Sequence, residues 1–483
     1  MKDNRTSVKR SLLVSAIALT LTAALLIGST FAWFTSTAST GVNKIQAGNL
    51  KVDLEMSTDG TNWESAEGKT LTFKTKDDRA ADQILWEPGC TYELPQLRVV
   101  NKGNLALKYK IQITGIQGDA KLNEVIDWTI NDNDINLTEG HLTAGQQGDA
   151  FTIKGHMQDN ANNDYQNLTI DGIGITVCAT QDTVENDSFN NTYDKDAEYP
   201  ISVTTGDELQ AIVSSATAPV NIVLANDITT NNFVIPADKD VTLDLNGRTV
   251  KNEESHTILN QGHLTLTDSS ADKRGQIISC KGKTAALRNG DNAVCVVEGG
   301  TISRDGADGN TWHTVENFGT MTFNGGKVIA NDGKSFAIVN GWNYIPVPGE
   351  QKATMTINDI EMTASPNGFK NCAGGTLTMN GGTLRCTTGY WGLSNDSTGV
   401  ATINGGKIIS DEYIAISDGG AKMEINGGTF TGPQGSLYVQ NWAKDTVVKG
   451  GSYQNETVEF MQSCCPKGYT AKPEGDMVVV SKD

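Results

Sequence analysis

Two periodicities divide the chain. From Leu50 to about residue 180, apolar and polar residues alternate in short runs, as in Leu50-Lys51-Val52-Asp53-Leu54-Glu55-Met56 and Leu107-Lys108-Tyr109-Lys110-Ile111-Gln112-Ile113. A period of two is that of strands with one buried face. Turn signals separate the runs: Asp59-Gly60, Pro88-Gly89, Asn101-Lys102-Gly103-Asn104 and Gln117-Gly118-Asp119. Several strands at this spacing predict an antiparallel β-sandwich.

From residue 221 to about 465 a phrase recurs instead: Asn324-Gly325-Gly326, Asn380-Gly381-Gly382, Asn404-Gly405-Gly406 and Asn426-Gly427-Gly428, with weaker copies at Asn246, Glu298, Asn358 and Lys449. The copies start 52, 26, 34, 22, 24, 22 and 23 positions apart, the first gap reading as two units of 26. Such a period marks a solenoid. The residue before each copy and the fourth after its start are apolar, so strands end and begin inward with glycines turning the corner. A second column closes short apolar segments at Asn260, Asn289, Asn317, Asn340, Asn371, Asn395, Asp418 and Asn441. Stacked amides can hydrogen-bond along such a column, so these residues read as a structural ladder. Two columns per period predict a right-handed parallel β-helix. Val241-Thr242-Leu243-Asp244-Leu245-Asn246-Gly247 resembles the opening coil of pectate-lyase-like β-helices, and Lys467-Gly468-Tyr469 with Met477-Val478-Val479-Val480 resembles their closing strand. Thr205 and Glu208 have capping-box spacing ahead of apolar residues, predicting a short helix over the first coil.

The first 32 residues read as an export leader: Lys2, Arg5, Lys9 and Arg10, an apolar run from Leu12 to Gly28, then small residues through Ala32. A retained membrane anchor is the alternative, since the run lies at the short end for a spanning helix. Cleavage leaves no further span and takes the net charge from −19 to −22, an acidity that argues against nucleic acid as a partner. Glycine abundance (51) with 6% aromatic residues favours strands and turns over helices, so the expected class is all-β. Eight cysteines form neither a disulfide scaffold nor a zinc pattern.

The N-terminal third resembles the TasA and camelysin type of biofilm-matrix protein. The resemblance rests on Thr30-Phe31-Ala32-Trp33-Phe34, on Ile45-Gln46-Ala47-Gly48-Asn49-Leu50-Lys51-Val52, and on Glu87-Pro88-Gly89 followed by Leu97-Arg98-Val99-Val100-Asn101-Lys102-Gly103-Asn104-Leu105. It implies a leader cut by a dedicated signal peptidase, a jelly-roll fold, a location in the extracellular matrix or on the cell surface, and fibres in which one subunit's N-terminal arm completes its neighbour's sheet. That arm spans residues 33–45, with Trp33, Phe34, Val42 and Ile45 as apolar anchors. An arm folded back on its own domain is the alternative. The expected organisation is leader 1–32, arm 33–45, jelly-roll 46–180, acidic linker 181–200, β-helix 201–465 and terminal strand 466–483.

No catalytic residue, metal site or cofactor is assigned. The acidic run Asn131-Asp132-Asn133-Asp134 lacks the glycine and distal glutamate of a calcium loop and reads as a solvated turn. The polygalacturonase pattern is missing, since residues 201–483 hold no Asp-Asp pair and Gly262-His263 is followed by Leu264. A secreted β-helix lyase or glycoside hydrolase is therefore the alternative to a structural or adhesive protein. Trp312, Trp391, Tyr413 and Tyr438 precede their corners by 11 to 13 positions and are candidates for stacking on sugar rings of a glycan or surface ligand, against inward packing. An insertion, residues 341–349, adds Trp342 and Tyr344 as further candidates.

Overall fold

The computed structural model describes residues 50–74, 85–114, 117–118, 120–135, 139–171, 174–182, 199–252, 254–270, 272–279, 284–304, 312–331, 335–342, 347 and 351–483. The leader, the arm and most of the linker lie outside them. The chain is all-β, and its second part is a parallel β-solenoid of about ten turns.

The N-terminal alternation forms antiparallel sheets. Val52–Ser57 lies between Glu64–Ser65 and Gln96–Asn101; Ile153–Met157 lies between Thr91–Glu93 and Ile126–Ile130; Leu107–Thr114 lies between Gly174–Gln181 and Glu139–Leu142. Their inward residues, including Leu97, Leu107, Ile111 and Ile153, share one hydrophobic cluster separate from that of the solenoid. Glu55 is buried at its margin. Burial raises its pKa, but hydrogen bonds from Lys102 (2.8 Å) and Arg98 (2.6 Å) outweigh this and hold the carboxyl below its usual range. Asn131 and Asp132, at φ 47° and 68°, make the two-residue turn between Ile126–Ile130 and Asn133–Asp134, where a positive φ at both positions suits hairpin twist. Asp132 pairs with Lys154 at 2.9 Å. Gly174–Gln181 pairs along its whole length with Leu107–Thr114, and among the described residues no strand pairs with its other edge.

Each solenoid coil contributes a strand to sheet 1, turns at a glycine corner into sheet 2, crosses a loop of variable length into sheet 3, and turns again to the next coil. Sheet 1 runs from Ile201–Val203 to Thr446–Val448 in 11 strands, and sheet 3 from Val234–Ile235 to Leu437–Val439 in nine. Sheet 2 starts at Ile228–Thr230; beyond Gly451–Gln454 it ends in the antiparallel strands Met477–Lys482 and Tyr469–Glu474. In-register pairing stacks like positions, so one interior column runs from Leu243 through Phe323 and Met379 to Val448, all with no exposed surface. Burial of each such side chain contributes about 1.5–3 kcal/mol. The first gap of 52 holds two coils of unequal length: their shared corner starts at Asp268, whose carboxylate accepts from the backbone N–H of Gly247, Ser270 and Gly275 in place of a glycine pair.

Both ends are closed. Helix α1 (Gly206–Ser215) lays Leu209 and Val213 over the first coil. Thr205 Oγ1 accepts from Glu208 N at 3.2 Å, but the Glu208 carboxylate reaches back to Thr204 N (2.8 Å), one residue earlier than a capping box requires. Helix α2 (Val458–Cys464) covers the last coil with Met461 and is capped by Thr457. The closing element is a hairpin, not a lone strand.

Candidate functional site

The polar interior of the solenoid is an amide ladder. Asn260 Nδ2 donates to Asn289 Oδ1 at 2.7 Å, and the same bond recurs from Asn289 to Asn317, Asn317 to Asn340, Asn340 to Asn371, Asn371 to Asn395 and Asn395 to Asp418, at 2.8–2.9 Å. Each amide nitrogen also donates to a carbonyl of the first or second residue of a later sheet-1 strand, such as Val294, Thr320 or Thr354. Every member is at most 1% exposed, so each bond replaces hydration that burial removes. Asp418 ends the ladder because a carboxylate only accepts: Oδ1 takes Asn395 Nδ2, and Oδ2 takes Thr446 Oγ1 at 2.6 Å. Asn441 is a correction. The residue in register with Asp418 in the last coil is Val439, and Asn441 sits exposed in the turn beyond it.

A second ladder, which the sequence reading missed, runs outside along the glycine corners. Asn426 Nδ2 donates to Asn404 Oδ1, Asn404 to Asn380, Asn380 to Asn358, Asn358 to Asn324 and Asn324 to Glu298 Oε1, at 2.8–2.9 Å. It runs opposite in sense to the first, and it too ends on a carboxylate. Its signal lies in the repeated phrase itself, which starts with asparagine in six of its eight copies.

The candidate aromatics divide. Trp342 is 3% exposed and packs on Phe318 at 5.6 Å between ring centres, so it fills a small core with Ala353 and Val347 and presents no face to a ligand. Tyr344, like Trp33, Phe34, Val42 and Ile45, lies outside the described residues. Trp312 is tied down, its Nε1 donating to Glu316 Oε1 at 2.8 Å and its ring 5.0 Å from that of His313. Tyr438 is exposed on sheet 3 beside Ser417. Trp391 and Tyr413 come together 5.9 Å apart, joined by Tyr390, which lies 14 positions before its corner and so outside the window of 11 to 13.

The titratable groups nearest this side of the solenoid are structural in their bonding. Glu316 is 2% exposed; burial raises its pKa against the opposing bonds from Arg288 (3.0 Å) and Trp312. Both its oxygens are engaged. Burial, with Arg288 nearby, pushes His256 down to about 4, and burial with Arg304 and Lys370 pushes His313 down to about 3. The seven described cysteines are free thiols, and burial pushes Cys178 and Cys386 up to about 11 and Cys295 and Cys372 up to about 12, far from a reactive thiolate. Among the described residues no helix is long and apolar enough to cross a membrane. No family model matches the chain, and no curated protein or solved structure matches it.

Proposed function

We propose that the chain is an exported bacterial surface or matrix protein of the TasA and camelysin type, in which a jelly-roll domain polymerises by strand addition and carries a right-handed parallel β-helix as a rigid adhesive spacer. The observation that carries this reading is the contrast in strand edges. Both ends of the solenoid core are covered, by α1 and by α2, and the outermost strand of its terminal hairpin contains Pro473, which cannot donate to a further strand. Gly174–Gln181, by contrast, is the edge strand of its sheet among the described residues, with Leu107–Thr114 on one side. Association by strand addition is therefore favoured at the first domain, and the arm 33–45 with its apolar anchors is the natural donor. Export, cleavage by a dedicated signal peptidase and a matrix or surface location belong to the same proposal and rest on the resemblance of the leader and first domain.

Sedimentation velocity of the chain starting at residue 33, beside one starting at residue 46, tests it. The longer chain should form concentration-dependent large species and the shorter one should not. Two monomeric samples at high concentration would end the proposal.

A further inference from the structure

Tyr390, Trp391 and Tyr413 stand on two successive loops between sheets 2 and 3, outside the hydrophobic core of the solenoid. Tyr390 is 51% exposed. The rings form a cup: Tyr390 and Trp391 are 5.5 Å apart at 34°, and Tyr413 closes on them at 6.3 and 5.9 Å, edge-on at 80° and 67°. The backbone beneath is pinned: Tyr390 N donates to Pro366 O, Ser410 Oγ donates to Tyr390 O at 2.7 Å and accepts from Tyr413 N at 3.0 Å, and Glu412 Oε2 accepts from Gly389 N. Binding there would cost little ordering of the protein.

The polar groups around the cup have a definite charge. The Arg385 guanidinium is held by Asp411 at 2.9–3.2 Å, so Glu412 remains as the uncompensated charge on a chain of net charge −19. Ser365 of the preceding coil and Thr388 of the Tyr390 loop share a hydroxyl–hydroxyl bond at 2.6 Å. The indole Nε1 of Trp391 has no accessible surface and no acceptor among the described residues, so it takes no part in binding from outside.

We infer that this cup binds a neutral hexopyranose unit of a polysaccharide, with a C–H face of the sugar on Tyr390 and a sugar hydroxyl donating to the Glu412 carboxylate. An apolar face combined with in-plane hydroxyls fits stacked rings flanked by a few fixed polar groups. The carboxylates disfavour uronate or phosphate chains, and three rings are too small a patch for a stable protein interface, which buries roughly 1,200 Å² or more. The inference rests on reading the β-helix as the adhesive part of the protein and names what it adheres to.

Titration calorimetry of the full chain with cellohexaose, mannohexaose and hexagalacturonate tests it. At least one neutral hexaose should bind, with hexagalacturonate at least about tenfold weaker. Tyr390→Ala should weaken binding about tenfold, equivalent to about 1.4 kcal/mol. Glu412→Ala, which removes the acceptor beside the rings, should weaken it several-fold. No neutral hexaose bound at millimolar concentration, unchanged affinity in Tyr390→Ala, or preference for the uronate would overturn the inference. Arm-dependent assembly is read separately by sedimentation: if it persists while sugar binding is absent, only the sugar site fails.

Discussion

At the scale of single residues, the solenoid spends its polar groups in two lines of amides, and the two lines differ in what they stabilise. An interior asparagine such as Asn317 donates to Asn340, Thr354 and Gly319 and accepts from Asn289, all in the absence of water. Asn317→Ala strands several of these groups and should cost about 3 kcal/mol. Asn380→Ala in the exposed ladder leaves partners that water can satisfy and should cost less than about 1 kcal/mol. Urea unfolding of the two variants checks the contrast; equal losses would contradict it. The buried histidines add a pH dependence. His313, with 3% exposure and a hydrogen bond to Ser335 Oγ at 2.5 Å, titrates at about 3 in the fold against about 6.5 when unfolded. Its depressed pKa means that stability is complete above pH 6.5 and falls as the pH drops toward 3. About 3 kcal/mol is at stake by pH 4. The stability of the wild type relative to His313→Gln should therefore shrink between pH 7 and pH 4, measured by urea unfolding at each pH; a constant difference would refute the assignment. The interior ladder was legible because its asparagines end apolar segments at a regular interval. Asn441 was misread because sequence spacing cannot show that Val439 has already taken the column's place.

At the scale of elements, corners and caps decide whether coils stack. Gly406 sits at φ 91°, and a Cβ there would lie 2.8 Å from Gly382 O and 2.6 Å from Met379 Cε of the coil before. Gly475, at φ 66°, turns the terminal hairpin with open space around it. Gly406→Ala therefore combines left-handed strain with a backbone clash and should cost clearly more than the about 1–2 kcal/mol expected for Gly475→Ala from conformation alone. Similar shifts in unfolding midpoint for both would show that the close approach of coils is not what selects glycine. Helix α1 was readable from Thr205 and the apolar residues after Glu208. Helix α2 was not, because seven residues with Met461 as the sole buried one carry too little periodicity. The Asp268 corner was hidden for a related reason: a carboxylate accepting three backbone N–H groups does the work of Asn-Gly-Gly without resembling it.

At the scale of the molecule, the chain joins a small domain of antiparallel sheets to a solenoid whose core is covered at both ends. Ten coils at a strand spacing of about 4.8 Å give a rod of about 50 Å. The covered ends make that rod a poor polymer unit and a good projection. The broad architecture was written in the two periodicities, whereas the Tyr390 cup and the burial of Trp342 depend on loop paths that no period encodes. The most direct measurement is negative-stain electron microscopy of the chain starting at residue 33. Filaments built from the first domain, with the solenoids projecting laterally, are expected, and they should disappear when residues 33–45 are removed. Discrete particles in both samples, or filaments of solenoids stacked end to end, would contradict this mode of assembly.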